Sequence, residues 1–233
     1  MKPYYSQDGI TIYHGDCREV MDAVNLSADL LLTDPPYGIG ASRRSGFGNG
    51  VTGTYKTGFL AGKTRIGTKT YKEGSWDDKP ADAETLNAAR ALCKHQIIFG
   101  GNYFELPPAR CWLLWDKVNG NTDFADAEMA WTNLDSAVRL IRYLWNGMMK
   151  ERPEVRFHPT QKPLAVMKWC IGKAPDNIQS VFDPYAGSGT TLVAAKECGL
   201  QAIGIEQDEH YCAIIAKRLA QGVLTYAKEA PCA

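Results

Sequence analysis

Apolar positions along the chain fall into short runs of strand length, separated by longer stretches of helical spacing. Ile10-Thr11-Ile12-Tyr13-His14 alternates and predicts a strand ended by Gly15. A short helix follows through Val24, with Asp16 available as its cap. Leu30-Leu31-Leu32 is a continuous apolar run, as a strand buried on both faces requires. Ala81 to Leu92 has helical spacing, and Gln96-Ile97-Ile98-Phe99, Cys111 to Trp115 and Ala127 to Trp131 predict strands, the last as a short strand or turn. Leu164, Val166, Met167 and Ile171 mark an amphipathic helix opened by Pro163. Ser180-Val181-Phe182 is the next strand, then a helix from about Leu192 to Glu197 stopped by Gly199, a strand Ala202 to Glu206, and a final helix from Asp208 to Ala220. Residues 132–156 show little period and predict no element. Alternating strands and helices predict an α/β fold, a mostly parallel sheet with helices on both faces.

Two runs end on unusual chemistry. The first strand of interest stops at Thr33-Asp34-Pro35-Pro36-Tyr37. Neither proline can donate a ladder hydrogen bond, and each restricts the residue before it. The result is a stiff tip that sets the Asp34 carboxylate and the Pro35 carbonyl beside a flat ring, suited to a planar molecule with an exocyclic amino group. A plain strand followed by a proline turn is the alternative reading. The second is Phe182-Asp183-Pro184-Tyr185-Ala186-Gly187-Ser188-Gly189-Thr190-Thr191, a glycine turn between strand and helix. Glu206 follows Gly187 by 19 residues at the end of the next strand, where an acid can accept from ribose hydroxyls. The third glycine of a dinucleotide fingerprint would fall at Leu192, and the Gly-Lys-Ser/Thr of a phosphate loop is missing, since Thr190 follows Gly189. A nucleoside without phosphates remains, and S-adenosylmethionine fits.

Composition alters this picture at one place. The chain of 233 residues has a formal net charge of zero, so affinity for a polyanion must come from local asymmetry. Residues 39–75 supply it, with Arg43, Arg44, Lys56, Lys63, Arg65, Lys69 and Lys72 against the single acid Glu73, interleaved with Tyr55, Phe59 and Tyr71. Such a glycine-rich, cationic stretch reads as a clamp on a phosphate backbone, or else as a solvated linker. Seven scattered cysteines without Cys-x-x-Cys spacing speak against a disulfide framework or a zinc site and for a reducing compartment. The polar start is no signal peptide, and no apolar run approaches the about 18 residues of a membrane span, so a cytoplasmic protein without membrane contact is expected. The four histidines are dispersed, and no metal is expected.

The D-P-P-Y tip resembles the catalytic motif of amino-group DNA methyltransferases. Residues 182–191 resemble their cofactor loop, and His158-Pro159-Thr160-Gln161-Lys162-Pro163 is similar to the element that precedes it. With the tip first and the loop last, the order is that of the permuted beta group. The resemblance implies one Rossmann-like, S-adenosylmethionine-dependent methyltransferase domain over 1–233, with 39–75 as a DNA-contacting arm and 132–156 as a short recognition segment. It implies that Asp34, Pro35, Pro36 and Tyr37 are catalytic. It further implies that Phe182, Asp183, Gly187, Ser188, Gly189 and Thr190 line the methionine part of the cofactor, Thr160 and Lys162 its carboxylate, Glu206 the ribose, and Asp16 with Cys17 the adenine end. Asp16 as a helix cap alone stays an open reading. An Asp before the prolines marks adenine-N6 enzymes more often than cytosine-N4 enzymes, so adenine in DNA is the expected target, ahead of cytosine, RNA or a protein amide. Family members often pair, which makes a homodimer compatible with the chain. The sequence names no companion restriction enzyme.

Overall fold

The computed structural model describes residues 1–40, 77–119, 125–146 and 149–220. Among the described residues nine strands form one sheet: β1 (Tyr5–Gln7), β2 (Ile10–His14), β3 (Ala28–Thr33), β4 (Cys93–Phe99), β5 (Trp112–Asp116), β6 (Ala127–Thr132), β7 (Arg139–Arg142), β10 (Ser180–Asp183) and β11 (Gln201–Glu206). Two short strands, β8 (Trp145–Asn146) and β9 (Met149–Lys150), pair apart from it. The order across the sheet is β1-β2-β11-β10-β3-β4-β6-β5-β7. The five strands from β2 to β4 run parallel, while β6 is antiparallel to both its neighbours.

The Leu30–Leu32 run shows why both faces need cover. Leu30 and Leu32 pack with Val166 and Met167 of α3 (Leu164–Ile171), Leu192 of α4 (Thr190–Glu197) and Ile215 of α5 (Glu209–Ala220). Leu31 points the other way, to Val20 of α1 (Cys17–Ala23) and Leu86 of α2 (Ala83–Ala91). Alternate side chains of one strand therefore feed two separate cores, and the α/β fold with helices on both faces is the one observed. Among the described residues, no helix is long and apolar enough to cross a membrane.

Three differences from the sequence reading are local. β1 lies in a polar segment and is held by pairing with β2 (Tyr5 opposite Ile12). α4 begins at Thr190, two residues earlier than its apolar spacing suggests, because Gly189 turns the chain into it. Residues 132–156, expected as a recognition segment, contain β7 at the sheet edge, and Tyr143 and Trp145 are buried in the larger core. Their non-periodic pattern comes from short strands with one side facing solvent.

Candidate active site

β3 and β10 are parallel neighbours with Leu30 opposite Val181 and Leu31 opposite Phe182, so the two unusual strand ends emerge side by side. From β10 the chain crosses to β11 on one side, and from β3 to β4 on the other. The site is therefore at the topological switch point, where α/β sheets open a crevice beyond their strand ends. The Thr33 hydroxyl joins the two ends directly, donating to Asp183 Oδ1 at 2.7 Å.

The tip is fixed from several directions. The Tyr37 hydroxyl donates to Asp34 Oδ1, and Lys162 Nζ ion-pairs with Asp34 Oδ2. The Asp34 side chain keeps 22% of its surface exposed, so a substrate can reach it, whereas Lys162 keeps 7%. Burial raises the Asp34 pKa; Lys162 opposes that rise and Glu128 adds to it. Asp77 accepts from the backbone N–H groups of Tyr37 and Gly38, at 2.8 and 2.9 Å, and Gly40 N–H donates to the Asp77 carbonyl. Both borders of the 41–76 stretch are thus tied to the tip.

The Tyr37 ring stacks on Tyr103 with centroids 4.9 Å apart, and its edge meets Phe104. Gly100 makes this contact possible: it has φ +65°, and a Cβ there would lie 2.1 Å from Tyr37 Cε1. Gly100→Ala should therefore dislodge the ring. For the methyl transfer that the sequence resemblance implies, kcat should fall by about 30-fold with cofactor affinity kept, since misplacement of about 1 Å near a reacting centre can cost about 10²-fold. Steady-state kinetics beside calorimetric binding checks this, and unchanged kcat would mean that ring placement is immaterial.

In the glycine loop, Gly189 has φ +79° and caps α4; a Cβ there would meet Ile215 Cγ2 at 2.7 Å. Gly187 N–H donates to Glu206 Oε2 at 2.8 Å, and Asp208 N–H donates to Oε1 at 2.8 Å. Ser188 donates to Gln161 Oε1 at 3.1 Å, which locks the 158–163 turn onto the loop, and Arg218 donates to the Ser188 carbonyl and hydroxyl and to the Thr190 hydroxyl. Ser188 and Thr190 are buried, so their side chains brace the loop. Phe182, grouped with the cofactor residues on sequence, is 1% exposed and packs in the core with residues of α1 and α2, directly before the loop. Thr160 bonds His158 Nδ1 at 3.0 Å. Asp16 does cap α1, accepting from Arg18 N–H, and also ion-pairs with the Arg18 side chain. Cys17 bonds the Tyr185 side chain, linking the start of α1 to the loop.

Burial pushes the Asp183 carboxyl up to about 6, against the Thr191 and Thr33 hydroxyls and the Tyr185 N–H, and Glu206 up to about 7, against the Asp208 and Gly187 N–H groups. A carboxyl raised in the folded state holds its proton there after the unfolded chain has lost it. The Glu206 contribution is therefore free of penalty below its ordinary value of 4.5, and stability is lost as pH rises to about 7. His158, lowered to about 4 chiefly by burial, works in the opposite direction over its own range. A variant comparison cancels it. The Tm of Glu206→Gln relative to the native protein should rise between pH 4.5 and 7 in scanning calorimetry; parallel curves would contradict the burial assignment.

Two residues of the site are given no role by the sequence: Gln161, which lies within the 158–163 element, and Glu128, in a strand marked only by its apolar neighbours. Glu128 ion-pairs with Lys117 and lies 3.0 Å from Lys162 Nζ. Lys162 itself engages Asp34 and Glu128, on the tip side of the cleft. Arg43, Arg44, Lys56, Lys63, Arg65, Lys69 and Lys72 lie outside the described residues.

Residues 110–217 match a family model described as DNA methylase, of the N6/N4 type. The match spans Glu128, the 158–163 turn, the glycine loop and Glu206, and ends short of the 33–37 tip. Over 267 residues the chain is 22% identical to the type II methyltransferase M2.LlaDCHI of Lactococcus lactis subsp. cremoris, covering 95% of this chain and 93% of that one. In fold it resembles the crystal structure of an M1.HpyAVI–SAM complex (TM-score 0.53, 23% identity, 90% and 99% of the two chains). It also resembles PvuII DNA methyltransferase, titled cytosine-N4-specific (TM-score 0.55, 16% identity, 96% and 91%).

Proposed function

We propose that this chain transfers a methyl group from S-adenosylmethionine to the exocyclic N6 amine of adenine in DNA, with the target base turned out of the helix. One observation carries the reading. Four adjacent strand ends each present a carboxylate along the switch point: Asp16 after β2, Glu206 on β11, Asp183 on β10 and Asp34 after β3. Such a row suits a ligand that is cationic and rich in hydroxyl donors, and it repels phosphates. Its ends also suit two different molecules, a nucleoside over the glycine loop and a planar amine at the tip.

When bound, S-adenosylmethionine supplies an electrophilic methyl on a sulfonium. Glu206 accepts from the ribose hydroxyls, Asp16 and Cys17 flank the adenine end, and the Asp183–Gly189 loop holds the methionine part, with Thr160 nearby. Asp34 and the Pro35 carbonyl accept the two N–H bonds of the target amine, whose lone pair is otherwise delocalised into the purine. Holding both N–H groups favours a pyramidal nitrogen with its lone pair directed at the methyl, by positioning and electrostatics in a partly dry site. The amine becomes acidic only after transfer, and Asp34, made a better acceptor by burial, receives the proton. Tyr37 offers its ring to the extruded base, which repays part of the few kcal/mol of extrusion. The cationic 39–75 arm holds the backbone.

Cytosine-N4 methylation is the second reading, favoured by the fold shared with PvuII DNA methyltransferase. Incubation with methyl-tritiated S-adenosylmethionine and unmethylated plasmid DNA, followed by nucleoside chromatography, separates the two. Label in N6-methyladenosine is the expected result, and label in N4-methylcytidine establishes the second reading. Label that enters only RNA or protein overturns both.

A further inference from the structure

Behind the tip lies a set of four charges that sum to zero, three half-buried around the buried Lys162. Lys117 Nζ pairs with Glu128 Oε1; Lys162 Nζ is 3.0 Å from Glu128 Oε2 and pairs with Asp34 Oδ2, while the Tyr37 hydroxyl takes the other Asp34 oxygen. Lys162 is enclosed further by the rings of Phe99 and Tyr37, 5.1 and 5.8 Å from its nitrogen. The two contacts of this ammonium are not equivalent. It donates a directed hydrogen bond to Asp34, whereas its 3.0 Å contact with the buried Glu128 Oε2 is an ion pair without that alignment. A buried acceptor with capacity to spare therefore stands beside a cation held by the carboxylate that the target amine needs.

Resting on the methyl-transfer reading above, we propose that Glu128 is a positioning residue that acts on Asp34 through Lys162: it shares the ammonium, and takes it over when the target amine occupies the Asp34 oxygens. A desolvated ammonium cannot be left without a counter-ion. With Asp34 as its only partner, Lys162 would resist every competing donor, and a neutral amine is a weak competitor against a buried ion pair. Glu128 offers the alternative seat within the same cavity. Burial alone would push the Glu128 carboxyl up, but Lys162 and Lys117 outweigh it and hold the value at about 2, so the seat is charged throughout the working pH range. Lys117 fixes the other Glu128 oxygen and so aims Oε2 at Lys162.

The test is Glu128→Gln, which keeps the shape and removes the charge. Methyl-transfer kcat on unmethylated plasmid DNA should fall by about 30-fold or more, a range typical of lost electrostatic alignment, with the calorimetric Kd for S-adenosylmethionine within about twofold of native. The double variant Glu128→Gln/Lys162→Met should recover at least about tenfold of that loss, because the cation that blocks Asp34 is then gone; neighbours coupled through one network are expected to be non-additive in this way. A structural role makes the opposite forecast, with the double variant as poor as, or poorer than, the worse single one. That result would overturn the proposal, as would a Glu128→Gln protein of native kcat, or one whose cofactor binding collapses along with its activity. A native protein that labels no DNA at all would instead remove the methyl-transfer reading, and this inference with it.

Discussion

Asp34→Ala should abolish methyl transfer, with kcat lower by about 10³-fold or more and cofactor affinity close to native. Loss of a single preorganised hydrogen-bonding group at a reacting centre costs about 10²–10³-fold, and Asp34 also sets the orientation of the nitrogen lone pair. The structure explains why the loss should be confined to chemistry. Removing a carboxylate from a buried ion pair usually leaves an uncompensated charge and destabilises by about 3–5 kcal/mol. Here Lys162 keeps Glu128 within 3.0 Å, so its ammonium still has a counter-ion, although one shared with Lys117, and the cleft on the glycine-loop side is untouched. Tritium transfer in parallel with calorimetric titration checks this. Equal loss of transfer and of cofactor binding would assign Asp34 a structural role.

Glu206→Ala should act on the other half of the cleft, weakening S-adenosylmethionine by about 10²-fold while kcat at saturating cofactor stays within a few fold. Hydrogen bonds to a charged acceptor contribute about 1.5–3 kcal/mol each, part of which water returns once the carboxylate is gone. The pH dependence gives an independent signature. Asp183 and Glu206 are pushed up to about 6 and about 7, so below these values a cationic ligand meets neutral acids. Native affinity should therefore rise with pH and level off above about 7, and in the variant the rise should end near 6. Titrations across that range decide it; a variant that binds like the native protein would remove Glu206 from the cofactor site.

The tip and the loop illustrate what is legible in a sequence. Two prolines after a leucine run and two glycines between strand and helix are local backbone instructions, readable because each restricts φ or removes a donor irrespective of the rest of the molecule. Glu128 and Gln161 are the reverse case. Nothing in Ala127-Glu128-Met129 distinguishes a site carboxylate from a solvated one, and only the pairing of β6 against β4 and β5 places it beside Lys162. The ion pairs of Lys162 were hidden for the same reason, since its partners Asp34 and Glu128 come from segments far from the 158–163 turn in the chain. The burial of Phe182 among residues of α1 and α2 was likewise not legible, because strand alternation cannot be oriented from four residues alone.

By itself, the sequence determined the α/β alternation, the stiff D-P-P-Y corner, the glycine turn with its distant Glu206, and hence the kind of chemistry to look for. Each of these is a property of a short segment and its own backbone. The tertiary structure decided that β3 and β10 are neighbours, that Thr33 ties them together, and that two acids and two lysines from four separate segments form one closed electrostatic set. Such choices are made by long-range packing and by the cost of leaving any buried charge alone, and neither is written in local residue order.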